Sequence, residues 1–138
     1  MTKKKITWIT PTCFVDVDLP IIKELQSVYN IHWIVILRPK DGENTKAYID
    51  DTLGNDKMLY ISYEWQKHRM RSLKNIFFIF NLIRKIKNDN SDVYYTSEYA
   101  MPCGIWFYKW LLPFGYSIAA CHNVTTPYGA SNDSFVGF

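Results

Sequence analysis

Short apolar runs of strand length alternate along this chain with longer stretches of helical spacing, and that alternation is the tightest constraint on its fold. Lys5–Thr10, Ile31–Leu37, Lys57–Tyr63, Asp92–Thr96 and Tyr116–Cys121 read as strands. Between them, Pro20–Tyr29 carries Ile21, Ile22, Leu25, Val28 and Tyr29 at helical spacing, with Asp18 just ahead as a cap. Ser72–Lys87 is the longest helix, with Leu73, Ile76, Phe80 and Ile83 on one face and Phe77, Ile79 and Ile86 widening it. Ala100–Leu112 is a further helix, closed by Pro113 and Gly115, while Ala47–Asn55 is ambiguous. Strands spaced by helices predict a parallel sheet wrapped on both faces, an α/β, Rossmann-like, doubly wound single domain. The chain of 138 residues supports one such domain and not two. Val124–Phe138 follows the fifth strand without a helix, so the domain is expected to be a piece of something longer.

In an open parallel sheet, ligands bind past the carboxyl ends of the strands. The uncharged run Tyr116–Cys121 suits a strand buried on both faces, and it breaks at His122 and Asn123. A histidine there is placed to meet a substrate, or else simply bonds a nearby carbonyl. Ser97, Glu98 and Tyr99 follow the fourth strand on the same rim. Glu98 either orients His122 or caps the next helix.

The first loop, Pro11–Leu19, holds no glycine. Neither GxGxxG nor a P-loop motif is present, so backbone cradling of a pyrophosphate is not expected there. Asp16 and Asp18 would repel a phosphate and suit a neutral, hydroxyl-rich ligand instead. Asp16-Val17-Asp18 is also a three-residue match to a metal-chelating triplet, against the default of a capping Asp18 and a solvated Asp16. Cys13, Cys103 and Cys121 are odd in number and contain no CxxC pair, which argues against structural zinc and fits reduced thiols in the cytoplasm. No metal and no cofactor are expected in this chain. No apolar run approaches the roughly 20 residues of a bilayer span.

Net charge is only +3, too little to argue for nucleic acid. Its distribution is uneven. Lys67, Arg69, Arg71, Lys74, Arg84, Lys85 and Lys87 lie between Trp65 and Asn88 without one Asp or Glu. The remainder is net acidic, nine basic residues against thirteen acidic. Such a patch attracts phosphates or anionic headgroups, and with the aromatics of Phe78–Phe80 beside it, it suits a membrane surface; a solvated basic face is the alternative.

Three stretches together resemble the N-terminal domain of a glycosyltransferase of the GT-B architecture, most like glycosyltransferase family 4. They are Lys-Ile-Thr-Trp-Ile-Thr-Pro (Lys5–Pro11), Asp-Val-Asp-Leu-Pro-Ile-Ile-Lys-Glu-Leu (Asp16–Leu25), and the late strands Asp-Val-Tyr-Tyr (Asp92–Tyr95) and Cys-His-Asn-Val (Cys121–Val124). The resemblance covers most of the chain. It implies two facing Rossmann-like domains, of which this one holds the acceptor and a C-terminal one, absent here, holds the nucleotide-sugar. It implies a retaining, metal-independent transferase of bacterial polysaccharide biosynthesis, inactive as this piece alone. His122 and Asn123 would contact the sugar, Asp16 and Asp18 the acceptor hydroxyls, and Lys67, Arg69 and Arg71 would steer an anionic glycan or lipid-linked acceptor. The family often has glycines in the first loop, and this chain departs from that. The rival from another class is a non-catalytic module that recruits a partner to the membrane.

Overall fold

A computed structural model describes residues 2–54, 60–69, 72–97 and 116–120. Five strands form one sheet: β1 (Lys5–Pro11), β2 (Asn30–Leu37), β3 (Tyr60–Trp65), β4 (Val93–Ser97) and β5 (Tyr116–Ala120). Their order is β3-β2-β1-β4-β5, and every pairing is parallel. Three helices are described: α1 (Val15–Leu25), α2 (Gly42–Leu53) and α3 (Lys74–Asn88).

The side-chain alternation of the central strands explains the layering. On one face Ile6 and Trp8 of β1, with Ile31, Trp33, Val35 and Leu37 of β2, pack against Val15, Leu19 and Ile22 of α1 and Ile49 of α2. On the other face Ile9, Ile34, Ile36 and Tyr94 pack against Ile79, Leu82, Ile83 and Ile86 of α3. The sheet is therefore doubly wound and Rossmann-like, as the element order predicts. β2 is covered on both faces, which is why its sequence is an almost unbroken apolar run.

Several boundaries differ from the sequence reading. α1 begins at Val15, after a single 3-10 turn at Thr12–Phe14, and so includes Pro20. Proline has no N–H to give the Asp16 carbonyl, but its ring is exposed and the helix continues. Asp18 is thus in the helix's first turn, where an acid suits the macrodipole, and is not the cap. α2 is a full helix of 12 residues, longer than the ambiguous Ala47–Asn55 stretch. β5 is an edge strand with Tyr116 81% and Ile118 51% exposed, so its apolar run does not signify burial on both faces. The Ala100–Leu112 helix lies outside the described residues.

Gly42 opens α2 because nothing larger fits. A Cβ there would stand 2.5 Å from Trp65 Cζ3 and 3.0 Å from Leu37 Cβ. Gly42→Ala should push Trp65 off the sheet and cost about 1–3 kcal/mol, read as a lowered denaturant midpoint with an unchanged slope.

Candidate functional site

The strand order reverses between β1 and β4, so the crevice at their carboxyl ends is the fold's natural ligand site. Pro11 ends β1, and Ser97 ends β4. The connection from β1 to α1 is closed by side chains. Thr12 Oγ1 donates to the Ile36 carbonyl at 2.8 Å, pinning the 3-10 turn to β2. Thr12, Cys13 and Phe14 stand where a phosphate-binding loop would carry glycines.

Asp18 is the centre of this rim. It is fully buried, and its Oδ2 accepts from three neutral donors. Thr10 Oγ1 lies at 2.6 Å, Trp8 Nε1 at 3.1 Å, and Ser97 Oγ bonds the same oxygen. Trp33 Nε1 donates in turn to Thr10 Oγ1 at 2.8 Å. Asp18 Oδ1 is buried with no partner among the described residues. Tyr95 completes the set. Its ring lies 3.8 Å from that of Trp8, centroid to centroid, and its phenol pKa is raised by burial and by the Asp18 carboxylate, against a lowering hydrogen bond with Ser97. Thr10, Asp18 and Ser97 are fully buried and Trp8 nearly so, so the network braces the carboxyl end of the sheet from inside, and Tyr95 is its half-buried member.

Of the residues expected at the site, Asp18 is at the rim. Asp16 is two residues away and exposed, so the two carboxylates face different environments and do not converge. No group of three His, Cys, Asp or Glu able to hold a metal occurs among the described residues. Lys67 and Arg69 are exposed on the loop after β3. That loop shares the carboxyl-end rim, but β3 lies two strands from β1, roughly 10 Å by ordinary strand spacing. Asn75 Nδ2 donates to the Arg69 carbonyl at 2.6 Å and fastens the loop to α3. Glu98, Arg71, His122 and Asn123 lie outside the described residues. Trp8, Thr10 and Tyr95 were not singled out from the sequence, where they read as ordinary strand residues; the only signal is their period-2 spacing toward one face.

A second polar cluster, also missed, sits at the opposite, amino end of the sheet. His32 Nδ1 is 2.5 Å from Asp89 Oδ2, and Nε2 is 2.7 Å from Ser62 Oγ. Both ring nitrogens of His32 are thereby engaged, one by the carboxylate and one by the hydroxyl. The connectivity is that of a nucleophile–base–acid relay. Its setting is structural. Thr7 Oγ1 donates to Asp89 Oδ2 at 3.0 Å, and Lys5 Nζ to the Asp89 carbonyl at 2.6 Å. Asn90, left-handed at φ 47°, turns the chain out of α3 so that Asp89 meets His32. The cluster ties β1, β2 and β3 to the α3–β4 turn, away from the carboxyl-end rim.

No protein-family model matches the chain, and no curated protein matches it. Among solved structures it is similar to the C-terminal domain of a hydrogenase from Pyrococcus furiosus, at 13% identity and a TM-score of 0.58, over 88% of this chain and 95% of that one. Likeness at that identity concerns the fold, and the fold agrees.

Two sets of variants check these assignments. Asp18→Ala should strand the Trp8, Thr10 and Ser97 donors and cost about 3 kcal/mol in chemical denaturation, while Asp18→Asn, which keeps an acceptor oxygen, should cost clearly less. Asp18→Asn should also lower the Tyr95 ionisation pH, because the carboxylate that opposes tyrosinate is gone; ultraviolet titration against Tyr95→Phe reads it. At the other end, Asp89→Ala should cost about 3 kcal/mol by leaving His32 and Thr7 unmatched, and Ser62→Ala should cost less.

Proposed function

We propose that this chain is the acceptor-side domain of a GT-B glycosyltransferase, transferring a sugar from a nucleotide-sugar to a glycan or lipid-linked saccharide. The observation that carries the reading is the rim at the β1–β4 switch point. It has no glycine cradle for a diphosphate, and beneath it a buried network of Asp18 with Trp8, Thr10 and Ser97 holds β1, β4 and α1 in fixed relation. A rigid rim without a phosphate cradle suits an acceptor and leaves the diphosphate of the donor to a second, facing domain. The all-parallel order β3-β2-β1-β4-β5 and the sequence resemblance support the same assignment.

In this reading His122 and Asn123, just past β5, hydrogen-bond the sugar, and Glu98 orients His122. Asp18, fully buried, shapes the acceptor side through Ser97, and exposed Asp16 meets acceptor hydroxyls from solvent. Lys67, Arg69 and Arg71 steer an anionic acceptor toward the rim. The acceptor hydroxyl replaces the nucleoside diphosphate at the anomeric carbon, with retention and without a metal.

The test uses the full-length protein with a panel of nucleotide-sugars and saccharide acceptors, following nucleoside diphosphate release. Turnover should persist in chelator, and His122→Ala should lower kcat by about 100-fold or more. A His122→Ala rate equal to the unmutated one removes His122 from the mechanism, and failure of every nucleotide-sugar to turn over ends the reading.

A further inference from the structure

The outward side of α3 differs from that of an ordinary covering helix. Its inward side, Ile79, Leu82, Ile83 and Ile86, is buried against the sheet. On the opposite side Leu73, at the N-cap, is followed at i+4 and i+7 by Phe77 and Phe80. These three are 77%, 73% and 56% exposed. They form one stripe about 10 Å long along the helix. Four turns of sequence would normally keep such a face polar.

Cations frame the stripe. Arg84 continues it toward the C-terminus, Lys74 flanks it, and Lys67 and Arg69 stand on the loop that leads into it, all exposed. No Asp or Glu interrupts the window from Trp65 to Asn88. The acids bordering α3 are committed: Glu64 is held by Lys85 at 2.7 and 2.9 Å, and Asp89 by His32. Every charged side chain in the window that carries the stripe is therefore basic.

We propose that this face of α3 rests on an anionic lipid surface. Leu73, Phe77 and Phe80 enter the boundary between headgroups and acyl chains, and Lys67, Arg69, Lys74 and Arg84 lie at the level of the lipid phosphates. The choice among partners follows from using both features at once. A nucleic acid would engage the cations and leave the apolar stripe in water. An uncharged protein surface would cover the stripe and leave four cations unmatched. An anionic bilayer takes the apolar side chains and the cations together. No described helix is long and apolar enough to cross a membrane, so the contact is peripheral. The inference stands whether or not the rim binds a saccharide.

Co-sedimentation of the purified 138-residue chain with vesicles tests it. Binding should be strong to phosphatidylcholine vesicles containing phosphatidylglycerol, weak to pure phosphatidylcholine, and reduced by salt. Leu73→Ser with Phe77→Ser should lower the partition coefficient by about tenfold or more. Lys74→Glu with Arg84→Glu should lower it as far and flatten the salt dependence. All four changes are on exposed positions, so circular dichroism and the unfolding midpoint should stay at the unmutated values and show that the variants fold. Three results would overturn the proposal: no binding to anionic vesicles at low salt, equal binding by the folded variants, or a lipid-free dimer that the Leu73→Ser, Phe77→Ser variant abolishes. Tighter binding to an oligonucleotide than to anionic vesicles would overturn it as well.

Discussion

One carboxylate oxygen holds the carboxyl end of the sheet together. Asp18 Oδ2 draws hydrogen bonds from β1, through Trp8 and Thr10, and from β4, through Ser97, while its own backbone belongs to α1. Three elements that meet at the reversal of strand order are thereby locked at a single point. Burying a carboxylate is costly unless donors replace its water, and three do so on one oxygen. The second oxygen has none among the described residues.

The two ends of the sheet divide the labour. At the amino end, Asp89, His32, Ser62 and Thr7 satisfy one another, and the cluster resists change because each member completes another's valence. At the carboxyl end, bonding capacity is left over. This asymmetry is common to open α/β sheets, in which one rim is stabilised and the other is kept available. A histidine with a serine and an aspartate is thus a poor guide to chemistry without its position in the fold.

The sheet was legible because its signal is collective. β2 is almost continuously apolar since both its faces are covered, whereas the face expected of α3 divides: Ile79, Leu82, Ile83 and Ile86 are buried, but Leu73, Phe77 and Phe80 are exposed on the opposite side. Less was legible where one residue has two meanings. Pro20 suggests a helix start, yet the helix begins five residues earlier, because an exposed proline costs one hydrogen bond that tertiary packing of Leu19 and Ile22 offsets. α2 was obscure since Ile49 and Gly42 alone are buried in it, so little periodicity is written there. β5 looks like a core strand but lies at an edge, because local sequence does not encode a strand's place in the order. Asp18 defied the rule that carboxylates stay in water. Its donors Trp8, Thr10 and Ser97 come from strands far apart in the chain, and that convergence exists only in three dimensions.

The middle position of β1 has a consequence for how the chain is made. β1 is made well before its second neighbour, β4, which ends at Ser97, and the pairing of Ile6 with Val93 joins residues 87 positions apart. A nascent chain can zip β1 to β2 early, on contacts about 25 residues apart, but one flank of the central strand stays open until β4 leaves the ribosome. For that interval Trp8 and Ile9 have a half-built shelter, and whatever shields them then, chaperone or lipid, becomes part of how this protein reaches its native state.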